Sequence, residues 1–275
     1  MHIMIPRSLK PGVYRLARRF RPVLPYGVLA NLAQWATRYA HEPDFEVFDW
    51  MTGIEARVLD VGASRGQSAL SILRRTQRTR VFSIEPNLKH RWSLILIRLL
   101  HPFRFRFRMV ASGNEFAHQT LFVPGRRASG LSAQGSLDPA EFEKDYIKER
   151  LLDSGFDPGD VNAYRKLKVR VVPLDSLGLS PDLIKMDVEG FEQQALKGLE
   201  VTLAKHHPAL LIEINNPKRW MPVLDSLGYE FYYYDEADKL LRHFDEDWEA
   251  LNVFCLHKNN RSDLTRVLLE HVETR

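Results

Sequence analysis

Carboxylates recur at one kind of place in this 275-residue chain, in or just after a short apolar run. Asp60 lies in Arg57-Val58-Leu59-Asp60-Val61, and Glu85 closes Arg80-Val81-Phe82-Ser83-Ile84. Asp187 and Glu189 follow Leu183-Ile184-Lys185-Met186, and Glu213 falls within Ala209-Leu210-Leu211-Ile212-Glu213-Ile214. Such groups can accept ribose hydroxyls, take a proton as a general base, or ligate a hard cation through oxygen. Glu213 stands out, because an acid inside a buried apolar strand is expensive unless it is paired or at the edge of a site.

The elements that must position these groups are strands followed by tight turns. After Val61 the chain breaks at Gly62 and Gly66 and resumes as the helical pattern Ala69, Leu70, Ile72, Leu73, which reads as strand, turn and helix. A turn of this kind leaves backbone N–H groups at the helix start, and glycine lets a ligand approach the main chain. The dinucleotide fingerprint Gly-x-Gly-x-x-Gly is not met, since Ser64 and Gln67 stand where its later glycines belong, and the P-loop lysine is absent from Arg65-Gly66-Gln67-Ser68. What remains, Asp60-x-Gly62-x-x-x-Gly66, is similar to the acidic glycine turn of S-adenosylmethionine-dependent methyltransferases. Asp60, Gly62, Ala63, Ser64, Gly66 and Ser68 are therefore expected around a cofactor. Glu85, about 25 residues after the first strand begins, is the expected ribose ligand with Pro86-Asn87 beside it, the alternative being a solvated strand-end acid.

Residues 103–111 alternate Phe and Arg and predict a strand whose end, Ala111-Ser112, stands beside the same pocket. Residues 181–192 run from an apolar strand through an acidic turn into a helix over 191–205, which places Asp187 inside the site. Further strands are expected at 119–124, at 168–174 and, as a terminal hairpin-like pair, at 229–234 and 251–256. Helices are expected at 28–39, 88–100 and 140–152.

The domain plan is an N-terminal helical cap over 1–52 and an α/β domain over 53–260 with a substrate-side insertion near 113–167. A C-terminal helix follows over 261–275. In the N-terminal region Arg7, Lys10, Arg15, Arg18, Arg19 and Arg21 alternate with apolar residues. The pattern admits a cap over the substrate mouth or a peripheral membrane contact, and a packing helix with a solvated basic face is favoured over both. Pro22 and Pro25 fit a cleaved leader poorly, no run approaches the ~20 apolar residues of a membrane span, and a cytoplasmic protein is expected. A net charge of +4 with no compact basic and aromatic cluster argues against a nucleic-acid partner, and the single cysteine, Cys255, excludes an intramolecular disulfide.

Residues 58–66, Glu85-Pro86-Asn87, Leu174-Asp175-Ser176-Leu177, the run from Asp182 to Glu192, Leu196-Lys197-Gly198 and Leu211-Ile212-Glu213-Ile214 together resemble the FkbM family of methyltransferases. The resemblance implies a Rossmann-like class I methyltransferase sheet, seven-stranded and mostly parallel with an antiparallel terminal strand. It also implies S-adenosylmethionine as donor and O-methylation of a hydroxyl on a sugar, glycan or natural product. Where such proteins commonly carry Gly-Ala-Asn followed by an apolar residue, this chain has Ser64-Arg65. Asp187 is the expected orienting group or base, with Glu189 and Glu213 as secondary candidates. The three together could ligate Mg²⁺, although no metal is predicted. The alternatives are an inactive cofactor-binding scaffold in glycan biosynthesis and a nucleic-acid methyltransferase. Small-molecule or glycan acceptors are the expected partners.

Overall fold

A computed structural model describes residues 26–37, 42–124, 135–143, 148, 152, 164–244, 250–260 and 262–273. Helix α1 spans Tyr26–Thr37, and a 3₁₀ turn over Pro43–Asp49 leads toward strand β1, Arg57–Val61. The glycine turn follows, then α2, Gln67–Arg75, and β2, Arg80–Ile84. A 3₁₀ turn over Leu88–His90, capped by the Asn87 side chain, runs directly into α3, Arg91–Leu100, which Pro102 prevents from continuing. Strand β3, Phe105–Arg108, completes this half of the main sheet.

A second, three-stranded sheet interrupts the alternation. It consists of β4, Ala111–Gly113, β5, Ala117–Pro124, and β6, Tyr164–Pro173, in the order β4-β6-β5. The chain then returns to the main sheet with β7, Leu183–Met186, followed by α4, Glu192–Lys197, α5, Glu200–His206, and β8, Ala209–Glu213. Helix α6, Pro217–Ser226, precedes β9, Tyr229–Asp235, β10, Leu240–His243, and β11, Asn252–His257. Helix α7, Asp263–Glu270, begins at a Ser262 hydroxyl that accepts the Thr265 N–H.

The main sheet has the order β10-β9-β11-β8-β7-β1-β2-β3. β3, β2, β1, β7 and β8 are mutually parallel, while β11 runs antiparallel to β8 and β9. This is the Rossmann-like α/β sheet with an antiparallel last strand, widened by β10 at one edge. Its central strands are buried on both faces, which is why they read as nearly unbroken apolar runs. The chain leaves β1 toward β2 and comes back on the other side as β7. The crevice beyond the carboxyl ends of β1 and β7 is thus the topological switch point where such sheets bind ligands.

Three sequence expectations are corrected. The strand over 103–111 is two pieces in different sheets, so Ser112 belongs to β4 and pairs with Val172 of β6 rather than extending β3. The helix over 191–205 breaks at Gly198, where a Cβ would lie 2.0 Å from the Gly113 carbonyl oxygen. Asp175 instead caps α5 from a distance, accepting from Val201 N, Thr202 N and the Thr202 hydroxyl. β9 and β11 are antiparallel neighbours, but β10 lies between them in the chain. The helix expected over 140–152 lies mostly outside the described residues, among which a 3₁₀ turn spans Pro139–Glu143 and positions 148 and 152 are helical. The basic stretch before residue 26 lies outside the described residues.

Candidate active site

The turn after β1 is built by packing as much as by its own residues. Gly62 has φ +82°, and a Cβ there would fall 1.7 Å from the Asp187 main-chain oxygen. The Gly62 and Ala63 N–H groups both donate to the Ile84 carbonyl, and the Asp187 N–H donates to the Val61 carbonyl. Three strand ends are therefore stitched together at one point. Gly66, at φ +86°, abuts α3, where a Cβ would meet Ile97 Cδ1 at 2.4 Å.

Beneath the turn, Asp60 is fully buried. It accepts from the Ser68 hydroxyl at 2.9 Å and the Ser83 hydroxyl at 2.7 Å, so it ties the start of α2 to β2. Burial raises its pKa, and Lys185 with the two serines opposes the rise. Glu85 is also buried. One of its oxygens accepts the Ser64 N–H at 2.7 Å and the other accepts the Asn87 N–H at 2.6 Å. Its pKa is pushed up to about 8 by burial, against the two backbone donors that favour the charged form. Pro86 lies half-buried between these partners. Ser64 holds φ +49°, a conformation that asparagine tolerates better than serine. Its hydroxyl oxygen is buried without a hydrogen-bond partner among the described residues.

Across the switch point, Lys185 is 4% exposed and donates to Asp187 at 3.1 Å. Burial pulls its ammonium pKa down, yet Asp187, Asp60 and Glu42 together more than reverse this and hold it above the usual lysine value. Lys185 also sits level with Asp60 in the β1–β7 register. Glu213 ends β8, and burial followed by the charges of Asp187 and Glu189 raises its pKa well above the ordinary range. Glu189, at φ +49° before Gly190 at +91°, turns back so that oxygens of Asp187, Glu189 and Glu213 lie within 4.8 Å of one another. Its carbonyl accepts the Ser136 hydroxyl, linking the insertion to the site. A set of three carboxylates at this spacing has the chemistry for a hard divalent cation, or for a positive ligand beside the Lys185 ammonium.

Next to the cluster, Asp138, Gln193, Asn215, Asn216, Arg219 and Trp220 line a cleft. Ser112 is buried behind this side, where its neighbour Gly113 packs close to Phe191. The structure thus gathers Gly62, Ala63, Ser64, Glu85, Pro86, Asn87, Asp187, Glu189 and Glu213 at one end of the sheet. Asp60 and Ser68 form the layer beneath.

Sequence reasoning passed over Lys185 and helix α1. Lys185 was in view as a charged residue inside an apolar strand, the same signal that singled out Glu213. Asn31 of α1 is fully buried and donates to the Arg65 carbonyl at 2.7 Å, while Gln34 donates to the Gln67 carbonyl at 3.0 Å and the Ser71 hydroxyl at 2.9 Å. Helix α1 packs on the glycine turn and braces it, and nothing local in the sequence announces that partnership.

The Methyltransferase FkbM domain profile matches residues 60–245. No curated protein matches the chain. Similar solved structures include a methyltransferase FkbM from Methylobacillus flagellatus KT, at 18% identity and TM-score 0.43, covering 90% of this chain and 59% of that one. A putative O-methyltransferase from Nostoc punctiforme PCC 73102 aligns at 11% identity and TM-score 0.41, covering 84% of this chain and 60% of that one. A putative caffeoyl-CoA O-methyltransferase from Staphylococcus aureus aligns at 11% identity and TM-score 0.39, covering 90% and 99%. The chain therefore spans about three-fifths of the length of the first two.

Proposed function

Because this chain belongs to the FkbM methyltransferase family, we propose that it is an S-adenosylmethionine-dependent O-methyltransferase acting on a hydroxyl of a sugar, glycan or natural product. The observation that carries the reading is the meeting of Gly62, Ser64, Glu85 and Asp187 at the switch point of the sheet.

The residues present fit the donor. Each Glu85 oxygen already accepts one N–H and keeps further lone-pair capacity for a ribose hydroxyl. The Ser64 hydroxyl, without a hydrogen-bond partner among the described residues, is available to the polar methionine end, and the missing Cβ of Gly62 lets Asp187 close in beside the turn. S-adenosylmethionine supplies a methyl group already activated on sulfonium sulfur, so the protein's share is positioning, water exclusion and proton removal.

In this reading Asp187 orients the acceptor hydroxyl and receives its proton. Lys185 donates to that carboxylate and favours its ionised form, whereas burial and the charges of Asp187 and Glu189 disfavour the ionised form of Glu213, which is hydrogen-bonded to Asp187. The cleft beside them is rich in amides and charge with one indole, a lining suited to a hydroxyl-bearing acceptor.

The test is methyl transfer from labelled S-adenosylmethionine to a panel of sugars, glycans and hydroxylated natural products. Label recovered as a methyl ether, and lost in Asp187→Asn, supports the reading. Donor binding without transfer to any acceptor would favour the inactive scaffold instead.

A further inference from the structure

Outside the site, four of the exposed large apolar side chains among the described residues form a stripe within residues 88–103. Leu88, Trp92, Leu99 and Phe103 are 63%, 62%, 72% and 86% exposed. The seven-residue spacing of Trp92 and Leu99 places these two on one side of α3, with Leu88 in the turn before the helix and Phe103 in the bend after it. The opposite side of α3 supplies Ser93, Leu94 and Ile97 to the core. The stripe is therefore surplus to the needs of folding.

The charge around it is one-sided. Residues 87–114 contain Lys89, Arg91, Arg98, Arg104, Arg106 and Arg108 and no Asp or Glu. Lys89 and Arg91 are exposed between Leu88 and Trp92 along the chain. Arg106 donates to the Pro102 carbonyl at 2.7 Å, which brings its guanidinium beside Phe103. Apolar tips flanked by cations are the arrangement of a surface that inserts shallowly among anionic lipid headgroups, with tryptophan at the interface. A nucleic-acid surface would not present exposed leucines between its cations, since leucine neither stacks on a base nor bonds a phosphate.

We propose that the Leu88–Phe103 stripe docks this protein on an anionic lipid surface as a peripheral contact. No described helix is long and apolar enough to cross a membrane, so α3 lies along the interface rather than through it.

The experiment is co-sedimentation of the full chain with vesicles of phosphatidylcholine alone or mixed with phosphatidylglycerol. Binding is expected only with phosphatidylglycerol, weakening as salt is raised. It should be lost in Trp92→Glu/Leu99→Glu and be weakened about tenfold in Arg91→Gln/Arg106→Gln, with donor affinity unchanged in both. Equal recovery in the supernatant with and without phosphatidylglycerol overturns the proposal, as does full vesicle binding by Trp92→Glu/Leu99→Glu. Light scattering on the free protein decides against the proposal if it shows a dimer that Trp92→Glu dissociates, which assigns the stripe to a second copy. Retention on RNA or DNA in place of vesicles overturns it as well.

Discussion

The main-chain oxygen of Asp187 occupies the space where a side chain on Gly62 would begin, 1.7 Å from an ideal Cβ. The two residues end neighbouring parallel strands, joined by the Asp187 N–H to Val61 carbonyl bond. Any residue other than glycine there must push β1 and β7 apart at the mouth of the crevice. It must also adopt φ +82°, which L side chains avoid.

Gly62→Ala is accordingly expected to destabilise the protein by about 3 kcal/mol and to abolish donor binding. Urea denaturation and calorimetry read the two effects separately. Wild-type stability and affinity in this variant would show that the strands close without the contact.

Glu85 makes donor binding depend on pH. Ribose hydroxyls bond the ionised carboxylate, and the free protein holds that carboxylate protonated up to about pH 8. Affinity should therefore climb with pH and level off above about 8, and Glu85→Gln should flatten the curve. The sign for stability is opposite. The folded state binds this proton more tightly than the unfolded chain, so in the free protein stability falls as pH rises from the reference value of 4.5 to about 8. Calorimetry across this range, with thermal melts in parallel, checks both slopes.

Lys185→Met removes the cation from a cluster of carboxylates and leaves Asp187 without its ion-pair partner. A loss of about 3 kcal/mol is expected from breaking such a pair. The acid limb of the rate profile should move to higher pH, because a carboxylate that loses a neighbouring cation holds its proton more tightly. Lys185→Arg should recover part of the stability. A profile that does not move would mean that Asp187 is not the titrating base.

Asn31→Ala leaves the Arg65 carbonyl without its amide donor, at a cost of about 1 kcal/mol. The variant should stay folded and bind the donor several-fold more weakly, as measured by titration, because the turn loses its brace. Unaltered affinity would make α1 a packing helix and nothing more.

Much of this was legible before any coordinates. The glycine turn, Glu85 and Asp187 could be read because an apolar run followed by an acid and a glycine is a local pattern, and a parallel sheet brings such patterns together at one end. The convergence of Asp187, Glu189 and Glu213 was open, since it depends on the register of β7 with β8 and on the left-handed turn at Glu189. Other features are set by partners far away in the chain. Asn31 and Arg65 are 34 residues apart, and β10 is a four-residue strand set by its pairing with β9 and by the Leu241–Val272 bridge. Position 198, at the end of its helix, has no room for a side chain because the Gly113 carbonyl of the second sheet lies against it. Lys185 was visible yet unassigned, because a lysine in an apolar strand declares that it is paired without saying to what.

The most direct measurement is a calorimetric titration of the wild type and Glu85→Ala with S-adenosylmethionine, with NAD(H) as the control ligand. The account predicts saturable S-adenosylmethionine binding to the wild type, an affinity at least about tenfold weaker in Glu85→Ala, and no heat from NAD(H). Tight NAD(H) binding without an S-adenosylmethionine signal, or an affinity untouched by removal of the Glu85 carboxylate, would contradict it.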